Sequence, residues 1–416
     1  MPYPTASSGP SFNLQKSRGS KKLVLFFSGV GARDGKFQYW RVGKSLGTHC
    51  LFLSDSRKHW YQDGVEGLGA SVDETVANIR QRAAALGVVD IYAIGQSMGA
   101  HGAILYGAKL GASVLAFGAE TILGLEASRS ERLLNGGARI LYPDLHDVVA
   151  TAQKPIFAFA GEQDPVDIYC MSRLLHLPAY HARTLAGRGH HLANDLHASG
   201  RLIPMMQAFV SGRPIERLAE EGNVLACPGF AEAFYDLRRH TRAGRRAEAL
   251  EAGRKASSLC PRSDHALYLT AKALVELRQP AQARPLLESA LAITPDNISY
   301  RFLMARCIAR LGDPDRAMVL HEEIIALVPD FAPAFNQIAG IHFQRGDYFA
   351  ARKASRRALE LQPGTPGFVT FSERIEKKIA GLPASSRREA DLAPEPLATR
   401  VSNLFRTLKG TVARRS

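Results

Sequence analysis

The 416-residue sequence predicts a two-part molecule, a mostly parallel sheet covered by helices on both faces and then an all-helical array of repeats. Three observations predict this. Between residues 22 and 187, short apolar runs alternate with helical segments, the pattern of strands buried on both faces. After about residue 213 these runs give way to alanine-rich helical periodicity. Within that region Pro261, Pro295, Pro329 and Pro363 are spaced 34 residues apart, which marks an internal repeat.

Composition bounds the possibilities. The length calls for two domains or more, and an apolar fraction of 46% lets each bury a core. Cys50, Cys170, Cys227, Cys260 and Cys307 are scattered, without zinc spacing, so neither a disulfide framework, a structural metal nor a cofactor site is expected. The net charge of +14 raises nucleic acid as a partner. However, no helix-turn-helix, zinc finger or aromatic-interleaved basic sheet is visible, and a solvated basic surface is the reading preferred. The N-terminus lacks an apolar core of signal-peptide length, and no run of about 18 apolar residues occurs. A cytoplasmic protein of bacterial type is expected.

The elements follow in order. Residues 1–20, rich in Ser, Gly and Pro, are expected to be disordered. The domain from 21 to 213 opens with "LVLFFSG" (23–29) and "CLFLSD" (50–55) as buried strands. "VDETVANIRQRAAALG" (72–87) is an amphipathic helix with Val72, Val76, Ile79 and Ala83 on one face. "VVDIYAIG" (88–95) is a third strand and "GAHGAILYGAKLG" (99–111) the next helix. "SVLAFGAE" (113–120), "PIFAFAGEQD" (155–164) and the weaker "AYHARTLAG" (179–187) complete the strands. Segment 121–150 reads as a short cap or as the helix before the fifth strand. A linker spans 214–227, the repeats 228–379 and a tail 380–416.

The repeat keeps register at several positions. Twelve residues before each proline stand Ala249, Ala283, Ala317 and Ala351, and five before stand Ala256, Ala290, Ile324 and Ala358. Gly244, Arg278, Gly312 and Gly346 lie seventeen before. Ala271, Ala305 and Ala339 share a further position, where the first unit has Leu237. Over about 228–365 this resembles the tetratricopeptide repeat (TPR), a 34-residue helix–turn–helix with small residues at the crossing and proline closing the second helix. The resemblance implies an all-α solenoid whose concave surface binds a protein partner. The first unit departs from the pattern at Leu237 and Gly253, as a capping or interface-forming repeat does. In the tail, Val401, Leu404, Phe405, Leu408 and Val412 recur at helical spacing among arginines and lysine. That is a basic amphipathic helix, suited to peripheral contact with an anionic membrane or to packing on a protein surface.

Residues 95–99, "GQSMG", carry the chemistry. An apolar strand runs into Ser97 and a helix leaves it, the context of a nucleophile elbow. Serine needs a base, a group to orient that base, and N–H donors for the oxyanion. Asp164 lies just past the strand in "AGEQDP", with Asp167 and Glu162 as rivals. The Gly-flanked loop "GRGHH" offers His190, preferred to His191. The oxyanion donors expected are the N–H of Met98 and that of Gly29 or Val30 in "FSGVGARDG", with Ser28 assisting or capping.

Through "FSGVGARDG", "IGQSMG", "AGEQDP" and "GRGHH", residues 22–212 resemble an α/β-hydrolase catalytic domain, whose order of nucleophile, acid and base matches Ser97, Asp164 and His190. "LSDSRKHWYQDGVEG" (53–67) is also similar to a loop in bacterial hydrolase-like proteins associated with surface-polysaccharide genes. The resemblance implies an α/β-hydrolase fold, a Ser-His-Asp triad and no cofactor. The expectation is a serine hydrolase that cleaves a carboxylic ester of a small molecule or glycan through an acyl-enzyme, with the TPR module recruiting a protein. Two alternatives stand beside it, an acyltransferase acting on a glycan and a catalytically inactive scaffold. Among nearby residues, His101 is expected to pack. Tyr39, Trp40, Trp60 and Tyr61 either stack on a sugar or fill the core, and Asp55 and Asp63 either bind a hydroxyl or cap a turn.

Overall fold

The computed structural model describes residues 7–33, 35–134 and 139–383. The chain divides into two compact units, Met1–Thr270 and Ala271–Ser416. The first is built on eight strands: β1 (Ser8–Gly9), β2 (Phe12–Gln15), β3 (Lys22–Phe27), β4 (His49–Leu53), β5 (Asp90–Gln96), β6 (Ser113–Phe117), β7 (Ile156–Gly161) and β8 (Tyr180–Leu185). They lie in the order β1-β2-β4-β3-β5-β6-β7-β8. Pairing is parallel from β4 through β8 and antiparallel at β1–β2 and β2–β4.

Residues 8–15, expected to be disordered, instead form β1 and β2. The two-residue alternation of "FNLQ" turns Phe12 and Leu14 inward, where they are 2% and 8% exposed. Pairing with β4 satisfies the backbone that the Ser/Gly/Pro composition alone would leave in water. The other six strands and both predicted helices stand where the apolar runs place them.

Helices cover both faces. α1 (Trp40–Ser45), α7 (Leu192–Ala198) and α8 (Leu202–Val210) send Val42, Leu196, Met206 and Phe209 onto Val24, Phe26, Ile94 and Leu115. On the other side α3 (Met98–Leu110) crosses β3, β5 and β6, and α2 (Val72–Ala85) packs on α3. Two short helices, α4 (Arg129–Leu133) and α5 (His146–Ala150), lie in segment 121–150, and α6 (Pro165–Ser172) follows β7.

Successive strands run outward from β3 to β4, and the chain then returns to β5 on the other side of β3. Ligand crevices open at the carboxyl ends of strands flanking such a reversal. Register places Phe27 beside Gly95, so the loops after β3 and β5 leave the sheet side by side.

The first unit also holds α9 (Phe230–Arg242) and α10 (Arg246–Leu259), and the division falls inside α11 (Asp264–Glu276). The cause is apolar packing. Tyr235 of α9 stacks on Tyr169 of α6 with ring centroids 4.6 Å apart, in a cluster with Val166, Cys170, Ile122 and Leu125.

The second unit continues the repeats as α12 (Pro280–Ile293), α13 (Ile298–Arg310), α14 (Pro314–Leu327), α15 (Ala332–Gln344) and α16 (Tyr348–Leu361), closed by α17 (Pro366–Ala380). Ala249, Ala283, Ala317 and Ala351 are buried, as are Ala256, Ala290, Ile324 and Ala358. Small side chains here let paired helices approach closely. α10, α12, α14 and α16 each end two residues before Pro261, Pro295, Pro329 and Pro363. Among the described residues no helix is long and apolar enough to cross a membrane. The tail reading of a basic amphipathic helix falls on positions outside the described residues.

Candidate active site

Ser97 sits between the end of β5 and the start of α3, with φ 57° and ψ −126°. A non-glycine residue held there stores roughly 1–3 kcal/mol of strain. Two glycines make the turn possible. A Cβ on Gly95 would lie 2.1 Å from the Gly99 carbonyl oxygen, and one on Gly99 would lie 2.2 Å from that of Phe27.

His190, in the loop after β8, reaches Ser97. Its Nε2 is 2.8 Å from Ser97 Oγ and its Nδ1 is 2.7 Å from Asp167 Oδ2. With Nδ1–H donating to the carboxylate, Nε2 is left to accept from the serine hydroxyl. Burial of His190 disfavours its charged form. The Asp167 carboxylate outweighs that by charge and by hydrogen bond, and the imidazole titrates above its ordinary 6.5. His191 is exposed and lies at the start of α7.

The carboxylate that meets His190 is therefore that of Asp167, not of Asp164. Asp164 is the N-cap of α6. Its Oδ1 accepts from the N–H groups of Val166 and Asp167, and its Oδ2 accepts from Arg129. Pro165 at the first helical position completes this start. Asp167, one turn in, points back into the site. The signal was present in "DPVD", which reads as cap, proline and a third-position acid. Glu162, the other rival, accepts from Thr184 Oγ1 at 2.7 Å and the Val224 N–H at 3.0 Å.

Arg129 of α4 joins these carboxylates. Its guanidinium bonds Asp164 Oδ2, lies 3.2 Å from Glu120 Oε1 and lies 3.5 Å from Asp167 Oδ1. That Asp167 oxygen is buried without a hydrogen bond, so the Arg129 charge is its compensation. Burial and the negative charge of Asp164 push the Asp167 carboxyl up, while His190 and Arg129 oppose them. Burial acts likewise on Asp164, but Arg129 and His190 hold it below its ordinary value. Asp164, Asp167 and His190 offer ligand atoms within 4.8 Å of one another, a spacing open to a metal. The Arg129 guanidinium already supplies a cation to this set. Nothing in the sequence signals Arg129 or Glu120, which lie far from the motifs.

Of the expected oxyanion donors, Met98 begins α3 and has no helical carbonyl behind it to bond. Gly29 donates instead to Gln38 Oε1 at 2.9 Å, and Ser28 Oγ accepts from the Gln38 N–H at 3.2 Å. Gln38 thus pins the β3 loop, leaving Val30 as the candidate beside Met98.

The neighbouring residues are structural. His101 is fully buried between the Glu120 carbonyl (Nδ1, 2.7 Å) and Gln62 Nε2 (Nε2, 3.0 Å), and burial pushes it down to about 4. Trp60 and Tyr61 are core residues. Tyr39 and Trp40 pack on Phe26 and Phe52. Asp55 accepts from the Tyr61 N–H, and Asp63 holds His59 Nδ1 at 2.6 Å.

Residues 240–307 match the family model described as tetratricopeptide repeat. No curated protein sequence matches the chain. Among solved structures, the chain is similar to YrrB, described as a TPR protein with an unusual peptide-binding site, at 19% identity, covering 44% of this chain and 88% of that one, with a TM-score of 0.33. MamA (41-end) from Desulfovibrio magneticus RS-1 matches at 16% identity over 43% of this chain and 96% of that one, with a TM-score of 0.33. The capsule O-acetyltransferase of Neisseria meningitidis serogroup A matches at 14% identity over 48% of this chain and 90% of that one, with a TM-score of 0.37. At such TM-scores these structures assign neither a fold nor an activity to the first unit.

Proposed function

We propose that the first unit is an α/β-hydrolase-like serine enzyme that acts on a carboxylic ester through an acyl-enzyme. The continuous relay from Ser97 Oγ through His190 to Asp167 carries this reading. His190 takes the hydroxyl proton as Ser97 attacks the carbonyl carbon, and Asp167 stabilises the imidazolium. The Met98 and Val30 N–H groups face the oxyanion that forms. Collapse expels the alcohol, protonated by His190. Water, activated by the same base, then releases the acid and regenerates Ser97. The TPR module binds a protein partner and brings the enzyme to it.

The test uses p-nitrophenyl esters of varied chain length with the full chain, quenched in acid and weighed intact. A transient mass gain equal to the acyl group on wild type, absent in Ser97→Ala, is the expected result. Turnover unchanged in Ser97→Ala would remove the reading. A glycan acceptor that diverts labelled acyl from water would convert it to acyl transfer.

A further inference from the structure

Arg238, half-buried, lies near the acid end of the relay, with the exposed Arg132 and Arg242 around it. On α9, Ala231, Tyr235, Arg238 and Arg242 recur at helical spacing, the first two buried and Arg242 exposed. Tyr235 anchors the helix, stacked on Tyr169 with its hydroxyl donating to the Glu126 carbonyl at 3.0 Å. One turn further, Arg238 is half-buried. The charges that act on it most include Asp164, Arg242, Arg129 and Arg132. Asp164 is already occupied by Arg129 and by the start of α6. Among the described residues, Arg132, Arg238 and Arg242 have no hydrogen-bond or ion-pair partner.

A guanidinium partly removed from water, among like charges and facing a carboxylate that Arg129 already engages, is costly to keep. Its planar donors match the oxygens of a phosphate or carboxylate. The position is also specific, because Asp164, whose charge acts on Arg238, has ligand atoms within 4.8 Å of those of Asp167 and His190.

We infer that Arg238, with Arg132 and Arg242, forms an oxyanion-binding subsite that selects substrates bearing a phosphate or carboxylate near the scissile ester. This rests on the serine-enzyme reading of the same site. It makes the first repeat helix part of substrate recognition, in addition to any role in partner binding.

The experiment compares two esters that differ by one carboxylate, 2-nitrophenyl acetate and 4-acetoxy-3-nitrobenzoate, on the full chain. Each kcat/KM is divided by the hydroxide-catalysed rate of that ester. Wild type prefers the anionic ester, and Arg238→Gln cuts that preference about tenfold, the scale of one charge-assisted hydrogen bond, through KM. Arg238→Lys restores part of it, and added salt erodes it. An equal fall on both esters, or no fall on either, would overturn the subsite. Calorimetric titration with inorganic phosphate, on Ser97→Ala with and without Arg238→Gln, supplies an arm that needs no turnover. Binding lost with Arg238 supports the subsite even if neither ester is cleaved, the outcome that instead defeats the enzymatic reading. If neither ester is cleaved and phosphate does not bind, both fail.

Discussion

At Ser97 the fold gives up stability to hold a reactive geometry. The backbone strain at φ 57° is sustained by close approaches at Gly95 and Gly99 that no side chain would allow. The strand–serine–helix context made the proposed nucleophile legible, since only a few residue types tolerate so tight a turn. The acid was only half legible, because Asp164 and Asp167 lie within one helical turn and a pattern of strands does not say which way each points. The two variants should separate accordingly. Asp167→Asn is expected to lower kcat/KM by about three to four orders of magnitude with little change in unfolding midpoint. Asp164→Ala loses about 1 kcal/mol of stability through its cap and much less rate. A reversed pattern in paired kinetics and denaturant titrations would return Asp164 to the relay.

Arg129 acts on the same scale. Its cation favours the neutral form of His190. The base must be neutral to accept a proton, so wild-type activity rises with pH through a value above 6.5. Removing the cation holds the imidazolium proton more tightly. Arg129→Gln therefore moves the rising limb of the kcat/KM profile to higher pH, while a purely structural loss would lower the curve without displacing it.

At the scale of elements, periodicity and turn chemistry located the strands of the parallel sheet and the helix pairs. What composition concealed was β2, in which two apolar residues suffice because β4 supplies the ladder. Within the repeats, the position before the second helix is glycine at Gly244, Gly312 and Gly346, all with φ between 72° and 91°. Arg278 adopts φ 61° at the same place. A side chain there costs about 1 kcal/mol or more, offset in part by the entropy that glycine carries in the unfolded chain. Arg278→Gly should raise stability by about 0.5 kcal/mol, read as a higher denaturant midpoint at constant slope. A lower midpoint would mean that the Arg278 side chain contributes more than its backbone loses.

At the scale of the whole molecule, the repeats and the sheet-bearing unit do not separate where the sequence pattern changes. The first helix pair belongs to the first unit because Tyr235 covers Tyr169, Val166 and Cys170. That boundary was not legible, since the 34-residue register is the same whether a repeat packs on its successor or on a different fold. Within the first repeat unit, Leu237 and Gly253 were the local departures. A chain ending at residue 213 should expose that cluster and unfold earlier on heating, whereas one ending at residue 279 should retain the melting behaviour of the first unit. Equal melting of the two would show that α9 contributes little.

The proposed reaction stands on Ser97 being a nucleophile activated by His190. Intact-mass measurement after exposure to a fluorophosphonate tests it most directly, because the probe reports the activated hydroxyl without needing the natural substrate. Wild type is expected to carry one adduct per chain, located on Ser97, with none on Ser97→Ala and labelling slowed by orders of magnitude in His190→Ala. A wild-type chain that takes no label, or a Ser97→Ala chain that labels as fast as wild type, would contradict it.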